Sequence, residues 1–316
     1  MPLPVFLSDT GIETDLIFHQ GLDLPLFAAF VVADSDEGRQ LLDRWHREHA
    51  AAATAYGLGV SLDAVTWRAS SDWGDRLGYD GAQLDRVNHE LVLQLQGIRD
   101  DLKASDATTP VLVGGVVGPR GDGYRPTSRM SVDEAADYHR PQLRSLLDAG
   151  VDRVSAMTIC YPDEAAGIAS AATELGLSII LGLTLETDGR LPDGTTLADA
   201  VTSVDRRTDG SPGGFMVNCA HPDHIAAALD NGDTDQSADR GWRERIVGLR
   251  PNASRRSHAE LDEAPDLDDG DPAELAEQVA GLVGRLPAVS LVGGCCGTDP
   301  RHARAIAAAL GGDTDA

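Results

Sequence analysis

Hydrophobic positions along this chain fall into two rhythms. Eight short runs, rich in β-branched and other apolar residues, read as strands: 3–8, 60–66, 111–116, 153–158, 179–184, 214–218, 245–249 and 289–293. Between most of them apolar residues recur every three to four positions, the spacing of one helix face. Examples are 36–57, 83–104, 131–149, 162–176, 222–230 and 272–286. A last helix is expected at 299–310, with Asp299 as its cap, Pro300 in its first turn and Gly311 as its stop.

Strands alternating with helices argue for a parallel sheet sheathed by helices. Eight such units in 316 residues suit a (β/α)8 TIM barrel. A doubly wound sheet is the competitor, but no G-x-G-x-x-G follows the first strand, and no repeat of 20–50 residues is visible. The whole of 1–316 reads as one domain. Two charge-rich stretches without an apolar stripe, 230–243 and 253–271, read as acidic surface loops within it.

Charge narrows the classes of function. There are 51 acidic residues against 26 basic ones, a formal net charge of −25, and Lys103 is the only lysine. Such a field disfavours nucleic acid and anionic membranes as partners, and it suits a halophilic acidic surface in a salt-rich cytoplasm. No apolar run is long enough to span a bilayer, and the N-terminus lacks the basic flank and apolar core of a signal peptide. A cytoplasmic location is therefore expected, and homo-oligomerisation is left open.

The chemistry concentrates at strand ends. Gly293-Gly294-Cys295-Cys296-Gly297-Thr298 follows the eighth run, and Val217-Asn218-Cys219 ends the sixth. In a barrel both lie on the C-terminal face, where active sites are built. Three thiolates converging there suit Zn2+ with one position left for substrate, whereas four protein ligands define a structural site. Adjacent residues of a strand point to opposite faces, so Cys295 and Cys296 can meet one metal only if the backbone turns between the flanking glycines. The alternatives are a vicinal disulfide or two buried apolar packers. Cys160 is expected to be a small buried thiol rather than a fourth ligand, and His221 and His224 are expected at the surface or capping a helix.

The first run ends in Asp9-Thr10-Gly11-Ile12-Glu13-Thr14, which reads either as a binding turn for an amino-acid ligand or as a capped helix start. The Gly-rich 114–119 stretch lacks the Lys-Ser/Thr of a phosphate-binding loop.

Together these motifs resemble the homocysteine S-methyltransferase family over nearly the whole length. The match rests on D-x-G-x-E-T at 9–14, G-V-V-G-P at 115–119 and the turn around Ala64–Ser70. Leu191–Thr195, Val217–Cys219, Pro251-Asn252 and G-G-C-C-G-T at 293–298 complete it. The resemblance implies a zinc TIM barrel that methylates the homocysteine thiol to give methionine, with Cys219, Cys295 and Cys296 as metal ligands. It implies Asp9 near the substrate ammonium and Gly11 near its carboxylate, with Glu13, Met157, Thr158 and Asn218 beside them. Three cysteinates on Zn2+ carry a net charge of −1, and a fourth thiolate makes it −2, which keeps the acceptor sulfur nucleophilic.

Two positions depart from the family pattern. Thr10 stands where D-G-G is usual, and Met157-Thr158 where many members carry Glu-Thr. The partners expected are a small-molecule thiol and a methyl donor, S-methylmethionine or S-adenosylmethionine, because no folate, cobalamin or betaine-type extension is visible. Methylation of a different small thiol, a zinc hydrolase or lyase on the same barrel, and a non-catalytic zinc-stabilised protein are the competing readings.

Overall fold

The computed structural model describes residues 4–234 and 240–311. Eight parallel strands close into a barrel in chain order, β1 (Phe6–Leu7), β2 (Gly59–Asp63), β3 (Val111–Val117), β4 (Arg153–Ile159), β5 (Ile179–Leu183), β6 (Gly214–Asn218), β7 (Ile246–Arg250) and β8 (Leu291–Val292). β8 pairs with β1 through Phe6 opposite Leu291 and Leu7 opposite Val292, which seals the sheet. The (β/α)8 barrel expected from the alternation is the fold observed. β1 and β8 are shorter than the apolar runs that announced them, mostly at their N-terminal ends; past their C-terminal ends Ser8 N–H still donates to the Val292 carbonyl at 2.7 Å and Gly293 N–H to that of Leu249 at 3.0 Å.

The helices are α1 (Ile12–Thr14), α2 (Asp36–Ala55), α3 (Ser71–Leu77), α4 (Gly81–Ser105), α5 (Val132–Asp148), α6 (Pro162–Leu175) and α7 (Leu197–Thr208). They continue with α8 (Pro222–Thr234), α9 (His258–Asp262), α10 (Pro272–Arg285) and α11 (Pro300–Leu310). Their starts are chemically defined. Asp80 with Gln83 and Ser131 with Glu134 form capping boxes for α4 and α5, each satisfying backbone N–H groups that have no partner within the helix. Asp299 caps α11 and Pro300 opens it, as expected. α7 adds a helix to those expected, with Leu197, Ala200, Val201 and Val204 recurring at helical spacing behind the capping Thr196.

Both charge-rich stretches prove only partly loop. α8 runs on to Thr234 and a 3-10 turn covers Arg240–Arg245, while 235–239 lie outside the described residues. Within 253–271, Ser257 and Glu260 form a capping box that folds the short α9. Local capping thus supplies helix where no apolar stripe exists.

β2, β4 and β6 are buried throughout, as strands of a helix-covered parallel sheet must be. The main core lies between barrel and helices. A smaller cluster of Val116, Met157, Met216 and Leu291 fills part of the barrel interior. The rest of that interior is polar, and this polar column positions the site.

Candidate active site

Two charged pairs run along the inside of the barrel towards its mouth. Arg153 from β4 donates to Ser61 Oγ at 2.7 Å and to Asp63 Oδ1 at 3.3 Å. Arg250, the last residue of β7, donates to Asp63 Oδ2 at 3.3 Å and to Asp9 Oδ1 at 2.6 Å. Its Nε donates to the carbonyl of Gly294 at 3.0 Å. All four side chains are buried, and two carboxylates face two guanidinium groups, so their formal charges cancel. Arg250 thereby ties the ends of β1, β7 and β8 together. It is a site residue that the motifs do not single out; its one signal in the sequence is an arginine closing an apolar run just before Pro251-Asn252.

At the mouth the three predicted cysteines meet. Cys219 Sγ lies 3.1 Å from Cys295 Sγ and 3.6 Å from Cys296 Sγ, and all three sulfurs fall within 4.8 Å of one another. None is in a disulfide. The local backbone makes this convergence possible. Cys219 has φ of 55°, a left-handed conformation rare for a side-chain-bearing residue, and this turns its sulfur off the strand direction. Gly297, at φ 78°, makes the turn after the cysteine pair. Gly293 serves closeness rather than turning, since a Cβ there would sit 2.1 Å from Ser8 Oγ.

Burying three thiols this close lets one ionise at the expense of the others. Hydrogen bonds from Cys219 and Cys296, with the charge of Arg250 nearby, hold Cys295 well below the ordinary thiol range. Cys219 is correspondingly raised, chiefly by its bond to the Cys295 sulfur, and Cys296 chiefly by its bond to the Cys219 sulfur and then by that to Cys295. The Tyr124 hydroxyl stands 3.0 Å from Cys219 Sγ, and burial pushes its own ionisation well above the usual range, so it remains a donor. Tyr124 stacks on His258 of α9 at 3.8 Å between ring centroids, and His258 Nε2 lies 2.8 Å from the Cys219 carbonyl. A tetrahedral Zn2+ with sulfur ligands at about 2.3 Å separates the sulfurs by roughly 3.8 Å, so these three thiols fit that ion with little movement.

The other predicted site residues fall together. Asp9, Gly11, Glu13, Met157, Thr158 and Asn218 all line one inner cavity of about 70 Å³ with the three cysteines, Arg250 and Tyr124. Several of their polar groups are already used within the fold. Gly11 N–H donates to the Thr298 carbonyl at 3.1 Å, and Asp9 is paired with Arg250. Asn218 Oδ1 accepts from Thr158 N–H at 3.0 Å, and its Nδ2 donates to Thr158 Oγ1 at 3.0 Å. That exchange braces Thr158 in its own left-handed conformation, φ 63°. Glu13 is the freer acid; desolvation raises its pKa to about 7.

Thr10 has a partner in the fold. Its hydroxyl donates to His49 Nε2 at 2.8 Å, while His49 Nδ1–H donates to the Trp45 carbonyl. Burial lowers His49 to about 4, so it stays neutral and can accept that bond. Cys160 stands apart from the three thiols, against the Asp122 carbonyl, and burial pushes it up to about 12. His221 is buried rather than on the surface, and its Nδ1 accepts from Asp223 N–H at the start of α8, a capping role. His224 is half-buried.

A (β/α)8 barrel with three unbridged thiols at its C-terminal mouth defines an enzyme-type thiol or metal centre. The homocysteine S-methyltransferase family model matches residues 7–310. A relative from Bacillus subtilis, homocysteine S-methyltransferase YbgG, is 26% identical over 96% of this chain and 94% of its own. The solved Escherichia coli homocysteine methyltransferase MmuM superposes with TM-scores of 0.75 in its oxidized form and 0.73 in its metallated form. Sequence identity is 23% in both cases; each comparison covers 96% of this chain, and 95% and 96% of the respective MmuM chains. The chain belongs to the homocysteine S-methyltransferase family, and it is a methyltransferase. Among the described residues no helix is long and apolar enough to cross a membrane.

Proposed function

We propose that this protein transfers a methyl group from a sulfonium donor, S-methylmethionine or S-adenosylmethionine, to the thiol of homocysteine, giving methionine. Zn2+ on Cys219, Cys295 and Cys296 serves the reaction. The observation that carries this reading is the convergence of three unbridged sulfurs on one cavity at the catalytic face of the barrel. The names of the relatives support the acceptor, and the metallated form of the Escherichia coli protein is compatible with a metal.

Zinc held there would acidify an added thiol and favour its reaction as thiolate near pH 7. The chain's own residues do the rest. Trp67, Phe27, Val116 and Met157 wall the inner cavity with apolar surface, excluding water from the reacting sulfur. Tyr124 donates to Cys219 and so spreads the negative charge of the cysteine cluster. The acceptor thiolate forms a bond to the donor's methyl carbon while the S⁺–CH3 bond of the donor breaks. Its electron pair stays on the departing neutral thioether, so no covalent enzyme intermediate is needed. The acidic surface suits an enzyme working in a salt-rich cytoplasm.

The test offers zinc-loaded protein homocysteine with S-methylmethionine, S-adenosylmethionine or betaine in high salt, and quantifies methionine by mass spectrometry. Methionine is expected from a sulfonium donor; none from any donor would overturn the homocysteine reading. Cys296→Ala should lose both bound zinc and turnover, and a variant that keeps both refutes the ligand set.

A second reading has its own observation. Arg250 occupies Asp9, and Met157 lines the cavity where many family members carry a carboxylate, so fewer carboxylates are left free to hold an ammonium group. A small thiol lacking the amino group is the acceptor this favours. A panel of thiols of equal length, with and without the amino group, separates the two readings by kcat/KM.

A further inference from the structure

Cys219 is gripped at both its sulfur and its carbonyl by residues of other segments. The sulfur accepts from the Tyr124 hydroxyl at 3.0 Å. The carbonyl accepts from His258 Nε2 at 2.8 Å and from Thr184 Oγ1 at 3.2 Å. A carbonyl oxygen only accepts, so Nε2 is a protonated nitrogen of that ring. The two aromatic partners also touch each other, with ring centroids 3.8 Å apart and planes inclined by 24°. Cys219, Tyr124 and His258 thus close a triangle of contacts.

Each ring is placed by its own local sequence. His258 is the first residue of α9, and the Ser257 and Glu260 capping box fixes where that helix begins. Its Nδ1 faces Glu186 Oε1 at 3.4 Å, so the ring is met at both nitrogens. Tyr124 follows a turn in which Asp122 Oδ1 accepts from the N–H groups of Tyr124 at 2.8 Å and Arg125 at 3.1 Å. None of the α9 residues joins the hydrophobic core, and none is fully buried. Its contact with Cys219 is therefore no by-product of core packing. Cys219 itself needs support, because a left-handed backbone at a side-chain-bearing residue persists only where its surroundings over-determine it.

Resting on the reading of Cys219 as a zinc ligand, we propose that His258 is a positioning residue for the metal centre. It acts through two contacts, the bond to the Cys219 carbonyl and the stack on Tyr124. The first holds the turned backbone that brings the sulfur off the strand. The second holds the phenol against that sulfur. Groups that orient a metal's ligands in this way typically change metal affinity about 10–100-fold when removed.

The experiment reads metal binding on the full, reduced chain, with no substrate present. Zn2+ affinity is measured by competition with a chromophoric chelator, and Co2+ loading reports the ligand geometry through its sulfur-to-metal charge-transfer and d–d absorption. His258→Ala should weaken Zn2+ binding about tenfold or more and shift the Co2+ spectrum. His258→Gln, whose side-chain amide can still donate to the Cys219 carbonyl, should recover most of the affinity. Tyr124→Phe keeps the stack but removes the bond to sulfur, so it should shift the charge-transfer band. Melting of the metal-free proteins checks that each variant is folded, a property that loss of these contacts should leave nearly unchanged.

Wild-type affinity and spectrum in His258→Ala, or a His258→Gln variant no better than the alanine, would overturn the positioning role and leave the zinc reading standing. A wild type that binds neither Zn2+ nor Co2+ would sink the zinc reading, and the positioning role with it.

Discussion

At the scale of single residues, the site depends on side chains whose roles are set by what they touch. Arg250 is the clearest case. It neutralises Asp9 and Asp63 in the barrel interior and reaches the backbone of the cysteine loop through Gly294. Removing one member of a buried ion pair leaves its partner charged and unsolvated, which costs about 3–5 kcal/mol. Arg250→Met is therefore expected to lose roughly that much in urea denaturation and to weaken zinc retention. A loss within experimental error of zero would mean that Asp9 and Asp63 simply take up protons. The same residue shows how far the sequence could be read. Cys219, Cys295 and Cys296 were legible because they stand at two strand ends on one face of a barrel, where thiols can share a metal or a reaction. Arg250, Arg153 and Asp63 were not, because one charge in an apolar run does not reveal the opposite charge on a distant strand. Asn218 and Gly11 line the inner cavity, yet their bonding groups are spent on Thr158 and Thr298, a fact no local pattern contains.

Among the elements, α11 has the most direct link to the site, since Asp299 starts it three residues after Cys296. Burial alone would raise the Asp299 carboxyl, but hydrogen bonds from His302 and Arg301 outweigh that and hold it well below the usual carboxylate range. A carboxyl depressed in the folded state contributes stability above its unfolded pKa, near 3.9, and loses it as the pH falls below that value. Asp299→Ala should then cost about 1–2 kcal/mol at pH 7 and progressively less in acid. Melting curves of both proteins at several pH values check this; a difference that grows on acidification would refute the assignment. Helix ends were the most readable elements because caps are local. Strand ends at β1 and β8 were misjudged because an apolar run reports burial, and burial extends beyond the few residues that share a ladder with both neighbours. α9 lay inside a stretch read as loop, since its capping box acts without the apolar stripe used to recognise helices.

For the molecule as a whole, a net charge of −25 sets the dominant dependence on conditions. Raising ionic strength from about 0.1 M to 1 M shortens the Debye length from roughly 10 Å to 3 Å and screens the repulsion among surface carboxylates. The melting temperature should rise over that range, by several degrees if the relief is worth about 1–2 kcal/mol. A flat or falling melting temperature would show that the acidic surface is not a source of strain. The order of the strands, the barrel class, the cysteine set and the acidic surface were all determined by sequence alone, because periodicity, spacing and charge are local or additive. Tertiary structure alone decided that the three sulfurs lie within bonding range of one metal. It also decided that the Asp9 carboxylate is answered by Arg250. Those outcomes depend on closing the sheet between β8 and β1, which brings residues more than 240 positions apart into contact.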